Sequence, residues 1–335
     1  MSDPEIILDV QDLTIRFHTR QGLVTAVDGL SLSLRRGRVL GVVGESGCGK
    51  SVMCRSLLRI EAPGKIEAGH IRYLGCDGSD SAIETLDPAG AAIRRIRWKE
   101  VAMIFQEPMT SFGPQHTIGA QIAEAMQVHR MGPGPNLRDA AVASLESVGM
   151  PRPADTARQY PHQLSGGMRQ RAMIAMALCC CPRILIADEP TTALDVSTES
   201  QILDLLRERQ RALGMSILYI SHNLGVVAHI AHDVAVMYLG RVVERAPVGV
   251  LFSAPKHPYT LALLRSIPRV DRDVSGPLQV LSGSPPGPFS RPPGCAFHDR
   301  CPQRVEGVCD RIVPRPVHLD DGSEVSCHLY GGGRG

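Results

Sequence analysis

Residues 39–51 read VLGVVGESGCGKS, and the architecture follows from this stretch. Five apolar residues without alternation are what a strand buried on both faces of a sheet requires. The run leads directly into GESGCGKS, which fits GxxxxGK[ST], and then into a helix-compatible stretch holding Val52, Met53, Leu57 and Leu58. Strand, glycine-rich turn and helix in this order predict a phosphate-binding loop. The glycines let successive backbone N–H groups turn inward, and the helix presents the positive end of its dipole. Lys50 can then reach β and γ phosphates and Ser51 can reach Mg2+. Gly44, Ser46, Gly47, Cys48, Gly49 and Val52 complete the expected nucleotide-facing set. Alone, the loop implies only that a nucleoside triphosphate binds.

Working outward, IILDVQDLTIRF, SLSL, HIRYLG, VAMIFQE, RILIADE, SILYISH and DVAVMYLGRVVE all read as strands. With an amphipathic helix over 197–213, they predict an α/β chain with a mostly parallel central sheet. Residues 118–148 read as a helical insert broken by the turn-rich MGPGPN. After about Val250, Pro-rich segments such as SGSPPGPFSRPPG favour extended chain over a packed core. No internal repeat is present, so one nucleotide-binding unit is expected.

The 335 residues, 43% of them hydrophobic, allow one large domain and a smaller tail. With 36 Lys and Arg against 34 Asp and Glu, the net charge of +2 makes no case for a polyanionic partner. The N-terminal MSDPEIILDV lacks the basic and apolar regions of a secretory signal. No run approaches the ~20 apolar residues of a membrane span. The expectation is a cytoplasmic chain whose membrane role comes through partners. Its ten cysteines accordingly read as reduced thiols or metal ligands.

Two further segments decide the class. RILIADEP, residues 183–190, is an apolar strand ending in Asp188 and Glu189. Asp188 is expected to hold Mg2+, and Glu189 to orient or deprotonate the attacking water. LSGGMRQR, residues 164–171, followed by the helical QRAMIAMALCC, resembles the LSGGQ signature of the ABC ATPase superfamily. The resemblance implies that Ser165, Gly166, Gly167 and Met168 meet the γ phosphate of ATP bound by a second subunit, in a head-to-tail dimer with two ATP molecules between the protomers. Met168 stands where the superfamily most often has Gln, a substitution common in its peptide-importer branch. Gln106 matches the Q-loop glutamine that contacts Mg2+ and the attacking water. Ala193, Leu194 and Asp195 match the D-loop, and His222 matches the switch histidine. Phe17 ends the first strand, where the superfamily places an aromatic that stacks on adenine; a strand Phe also reads as core. The resemblance thus implies a competent ATPase, with Glu189, His222 and Gln106 catalytic and Mg2+ held through Ser51, Gln106 and Asp188. It covers about 250 residues.

AVDGLSL, SFGPQHTIG, SHNLGVVA and PKHPYTLALLRSIPR resemble the oligopeptide, dipeptide and nickel importer branch, with HPYT at 257–260 its most specific element. This implies two permease subunits, a second ATPase of similar type and an extracytoplasmic solute-binding protein. The chain would sit peripherally on the cytoplasmic face of the inner membrane. The expected division is a P-loop ABC ATPase domain over 1–255, with a helical subdomain at about 115–170, and an extension over 256–335. Cys295, Cys301, Cys309 and Cys327 in that extension are spaced C-x5-C-x7-C-x17-C. The spacing matches neither a zinc ribbon nor a ferredoxin run. It resembles the tail of dipeptide-importer ATPases, where such cysteines carry a [4Fe-4S] cluster; Zn2+ and unmetallated thiols stay open, with His298 and His328 as alternative ligands. The expected function is ATP hydrolysis that energises import of peptides or a related small solute. A soluble ABC ATPase acting on DNA or ribosomes is the other reading, favoured by coiled-coil heptads or a tandem second ATPase, neither of which the sequence holds.

Overall fold

The computed structural model describes residues 5–106, 111–129, 136–192, 194–266 and 283–331. Ala193 and most of the predicted MGPGPN turn lie outside them. The strands are β1 (Ile6–Thr19), β2 (Gly22–Arg35), β3 (Val39–Val43), β4 (Lys65–Leu74), β5 (Asp80–Ala82) and β6 (Val101–Ile104). They continue with β7 (Ile184–Asp188), β8 (Ser216–Ser221), β9 (Asp233–Tyr238), β10 (Arg241–Pro247), β11 (Val317–His318) and β12 (Glu324–Val325).

An eight-stranded sheet runs β11-β12-β10-β9-β3-β8-β7-β6. Its five strands from β9 to β6 are parallel, and every residue of β3, β6, β7 and β8 is buried, as their almost wholly apolar sequences predict. The register sets Val43 beside Ser221, Asp188 beside Ile220 and Ile104 beside Ala187. The carboxyl ends of four strands therefore meet along one edge, where open α/β sheets bind ligands.

A single mostly parallel sheet does not account for all the strands. β2-β1-β4-β5 form a separate antiparallel sheet. IILDVQDLTIRF carries polar residues among its apolar ones and buries them unevenly, the pattern of a sheet with one wet face. DVAVMYLGRVVE is a hairpin of β9 and β10 rather than one strand. Leu239 and Gly240 both take left-handed φ, 43° and 79°, as a two-residue hairpin turn requires.

Helices Ile118–Val128, Leu137–Ser147, Pro153–Thr156 and Gly166–Leu178 lie between β6 and β7, where the helical insert was expected. Ile122, Leu145 and Met173 from this region share a core with Leu185 and Ile217 of the sheet. The Pro-rich tail is less extended than its composition suggests. β12 pairs with β10, and Phe297 packs against Tyr238 and Tyr259 with ring centroids 5.3 Å from each. Among the described residues no helix is long and apolar enough to cross a membrane.

Candidate functional site

The phosphate loop connects β3 to helix Lys50–Ser56 and needs glycine at two tight points. A Cβ at Gly44 would stand 2.1 Å from the Met237 carbonyl, and one at Gly49, where φ is 101°, 2.2 Å from that of Ala26. Ser46 and Gly47 are exposed at the turn, whereas Cys48 is buried and its thiol pushed up by burial. Lys50 Nζ donates to the carbonyls of Gly44, at 2.7 Å, and Glu45, at 3.0 Å. The ammonium therefore lies folded across the loop that is to receive phosphate. Val52 continues the helix, half-buried against a core that includes Met53 and Leu57.

Ser51 Oγ donates to Asp188 Oδ1 at 3.1 Å, joining the phosphate loop to the end of β7. Asp188 is 2% exposed, and burial pushes its carboxyl above the usual range against the lowering effect of the Ser51 hydroxyl. A buried carboxylate paired with a hydroxyl is an oxygen set that suits Mg2+. The residues present fit that ion.

Next in the chain, Glu189 takes a left-handed φ of 49°. Such a conformation costs about 1–3 kcal/mol and collects at functional sites. Its backbone N–H donates to the Ile220 carbonyl at 3.0 Å, which holds the turn. Gln106 Nε2 at 3.1 Å and Thr192 Oγ1 at 3.0 Å donate to Glu189 Oε2, and His222 Nδ1 lies 3.2 Å from the same oxygen. β6, β7 and β8 thus deliver Gln106, Glu189 and His222 to one point. Thr192 is an addition that sequence reading missed, although it stands only three residues after Glu189.

The signature residues lie at the start of helix Gly166–Leu178. Ser165 caps it, its Oγ accepting the Met168 N–H at 3.3 Å, and Ser165 and Gly166 are exposed. Asp195 caps helix Val196–Leu213 by accepting the backbone N–H of Thr198 at 2.9 Å and its hydroxyl at 2.7 Å. Those two bonds hold its carboxyl below the usual range. Leu194 packs against the main core. The Phe17 ring stands over Gly64, whose Cβ would come within 2.8 Å of Phe17 Cζ.

The tail reaches this site, which sequence separation had hidden. Arg300, its side chain 5% exposed, grips the Glu45 carboxylate with two hydrogen bonds of 2.8 and 3.0 Å. The Glu45 N–H donates to Tyr259 Oη at 3.0 Å. One residue of the phosphate loop is thereby held by HPYT and by the residue preceding Cys301.

The four tail cysteines do not form the ligand set expected for [4Fe-4S] or Zn2+. Among the described residues no three or more His, Cys, Asp or Glu side chains are grouped to hold a metal ion. The thiols are close enough to feel one another's charge, and burial pushes those of Cys295, Cys301 and Cys327 up, Cys295 to about 11. Cys295 and Cys309 pack in the main core, with Cys301 against it, as small apolar side chains do. Cys309 Sγ accepts the Val305 N–H at 3.4 Å. His298 Nδ1 meets the Cys295 carbonyl at 2.9 Å, and His328 Nε2 that of Ile312 at 2.8 Å.

Comparison with known proteins identifies the family. Residues 27–192 match the ABC transporter family, and residues 243–309 match the oligopeptide/dipeptide transporter C-terminal region. The dipeptide transport ATP-binding protein DppD of Bacillus subtilis is 44% identical over 330 residues, 97% of this chain and 95% of its own length. DppD of Escherichia coli is 44% identical over 324 residues, 96% of each. Among solved structures, the dimeric bacterial ABC transporter cassette MJ0796 superposes with a TM-score of 0.63 at 23% identity, over 72% of this chain and 99% of that one. The cbiO1 subunit of Clostridium perfringens gives 0.62 at 26%, over 75% and 92%. The chain belongs to the ABC transporter ATP-binding family, in its oligopeptide and dipeptide transporter branch.

Proposed function

We propose that this ABC ATPase energises an importer of dipeptides, oligopeptides or a related small solute. It acts from the cytoplasmic face of the membrane on two permease subunits, together with a second ATPase and a solute-binding protein outside. The convergence of Gln106, Thr192 and His222 on Glu189, beside the Ser51–Asp188 pair, carries the hydrolytic half. The match over 243–309 and the dipeptide-transport relatives support the solute class. No feature favours DNA or ribosomes.

In this mechanism the backbone N–H groups of 44–49 cradle the phosphates, and Lys50 leaves its two carbonyls to reach β and γ oxygens. Ser51 and Asp188, together with Gln106, would hold Mg2+, which would neutralise phosphate charge there. Every contact described above falls on Glu189 Oε2, so Oε1 is the oxygen that receives the proton of the attacking water. His222 and Gln106 fix the orientation of that carboxylate and place it against the γ phosphate. Ser165 and the Gly166 and Gly167 amides of a second subunit complete the site, with Asp195 and Leu194 at the same junction. Closure on ATP and reopening after hydrolysis are passed on to the permeases. The division into an ATPase domain over 1–255 and an extension over 256–335 belongs to this reading. No step runs through the tail cysteines.

Purifying the tagged chain from its native membranes in mild detergent tests the proposal. Two multi-spanning permeases and a second ATPase are expected to accompany it. Ribosomal proteins, DNA or the absence of any membrane partner would refute it.

A further inference from the structure

A polar cavity of about 430 Å³ opens at the edge of the main sheet where β3 and β9 begin, the end of those strands away from the phosphate loop. It falls within the roughly 300–1,000 Å³ of small-ligand pockets. Arg35 at the end of β2, Arg38 just before β3, Asp233 at the start of β9 and Arg245 of β10 line one side. The β11–β12 hairpin of the tail closes the other with His318 and Glu324.

Arg245 and Glu324 face each other across the β10–β12 pairing. Opposite charges so placed ordinarily bond to one another. Here they turn apart. Arg245 donates to Ser33 Oγ at 2.9 Å and to the Ser33 carbonyl at 3.1 Å, whereas Glu324 has His318 Nδ1 at 3.6 Å, beyond hydrogen-bond reach. Among the described residues no carboxylate pairs with Arg245. Two neutral oxygens therefore fix the guanidinium in place and leave its charge uncompensated. Arg38 and Asp233 repeat the mixture of signs beside it, 3.3 Å apart.

The cavity thus holds a cation and an anion apart on adjacent strands. A simple anion would meet Arg245 but be repelled by Glu324 and Asp233, and a simple cation would face the reverse. A small molecule carrying both a carboxylate and an ammonium satisfies both sides. The planar guanidinium fork suits the carboxylate, and Glu324 suits the ammonium.

We propose that this cavity binds a short zwitterionic peptide, its terminal carboxylate on Arg245 and its terminal ammonium on Glu324. The ATPase then carries a site for the product of import, walled in part by its own tail. The inference rests on the peptide-importer reading and names a regulatory ligand for it.

Calorimetric titration of the full-length chain with alanyl-alanine, its N-acetyl derivative and its C-terminal amide tests the site. The free dipeptide is expected to bind saturably, and loss of either charge to weaken it about tenfold or more, the scale of one charge-assisted hydrogen bond. Glu324→Gln is expected to bind the free and N-acetyl forms alike, and Arg245→Gln to bind the free and amide forms alike. Both variants should bind ATP as the wild type does, which shows that they are folded. The wild-type comparison of the three ligands stands whether or not a variant folds. No saturable binding of alanyl-alanine, equal wild-type affinity for all three ligands, or wild-type preferences in both folded variants would overturn the proposal. A chain that brings its permeases from the membrane yet binds no dipeptide overturns this inference and leaves the importer reading intact.

Discussion

Lys50 shows how a residue can be legible in sequence while its resting geometry is not. Its place in GESGCGKS announces a phosphate contact, yet the structure has it bonded to the Gly44 and Glu45 carbonyls. Those bonds stand in for phosphate oxygens and keep a buried ammonium partnered. Replacing Lys50 with Ala is expected to weaken ATP binding at least tenfold, the scale of one charge-assisted contact at about 1.5–3 kcal/mol. Titration with a fluorescent ATP analogue checks this, and unchanged affinity would mean the loop is misread. Asp188 and Glu189 stand out in the sequence because an apolar strand runs into them, whereas Gln106 and His222 are marked only by the family resemblance. Tyr259 and Arg300 were not legible, since they stand 214 and 255 residues from the Glu45 they hold, and no local pattern marks such a contact.

At the scale of elements, the parallel strands were readable from their almost wholly apolar runs, and the helix over 197–213, which the structure begins at Val196, from its apolar stripe. The β9–β10 turn was missed because Leu at a left-handed position is an uncommon turn residue. The two-residue strands β11 and β12 are too short to leave a periodic trace. β12 nonetheless pairs with β10, and β11 with β12, which ties the tail to the edge of the main sheet. Arg300→Ala, which removes a buried two-point grip on Glu45, is expected to lower unfolding free energy by about 1.5–3 kcal/mol and to weaken ATP binding. Arg300→Lys is expected to recover little, because an ammonium lacks the fork geometry. Chemical denaturation and ATP titration check both variants, and wild-type values in Arg300→Ala would refute the clamp.

His257 caps helix Pro258–Arg265, its Nδ1 accepting the Tyr259 N–H at 3.0 Å, and its ring is 1% exposed. Burial lowers its pKa from the ordinary 6.5 to about 3. The folded chain therefore keeps the ring neutral where the unfolded chain protonates it. The stability this confers is complete above pH 6.5 and is lost as pH falls toward 3. From this group alone, unfolding free energy is expected to fall by about 2 kcal/mol between pH 7.5 and pH 5. His257→Gln should flatten that slope, as urea denaturation at the two pH values would show. An equal slope in the variant would contradict the assignment.

For the whole molecule, the site is open where a second chain is expected. Ser165 and Gly166 are exposed at a helix start, and Val196 beside the Asp195 cap is 83% exposed. The signature was legible as a motif, and the family resemblance assigns its surface to an assembly of two such chains. The tail cysteines illustrate the opposite limit. Their spacing resembles a metal-carrying tail, while Cys295 and Cys309 are buried in the main core and Cys301 packs against it. What joins the levels is the proposal that ATP is hydrolysed at Glu189. The most direct test is steady-state ATP turnover with Mg2+, comparing the wild-type chain with Glu189→Gln. The account predicts turnover in the wild type, at least a hundredfold less in the variant (the scale of a positioned general base, about 10²–10⁴-fold), and ATP binding kept. Near-wild-type turnover in Glu189→Gln would contradict it.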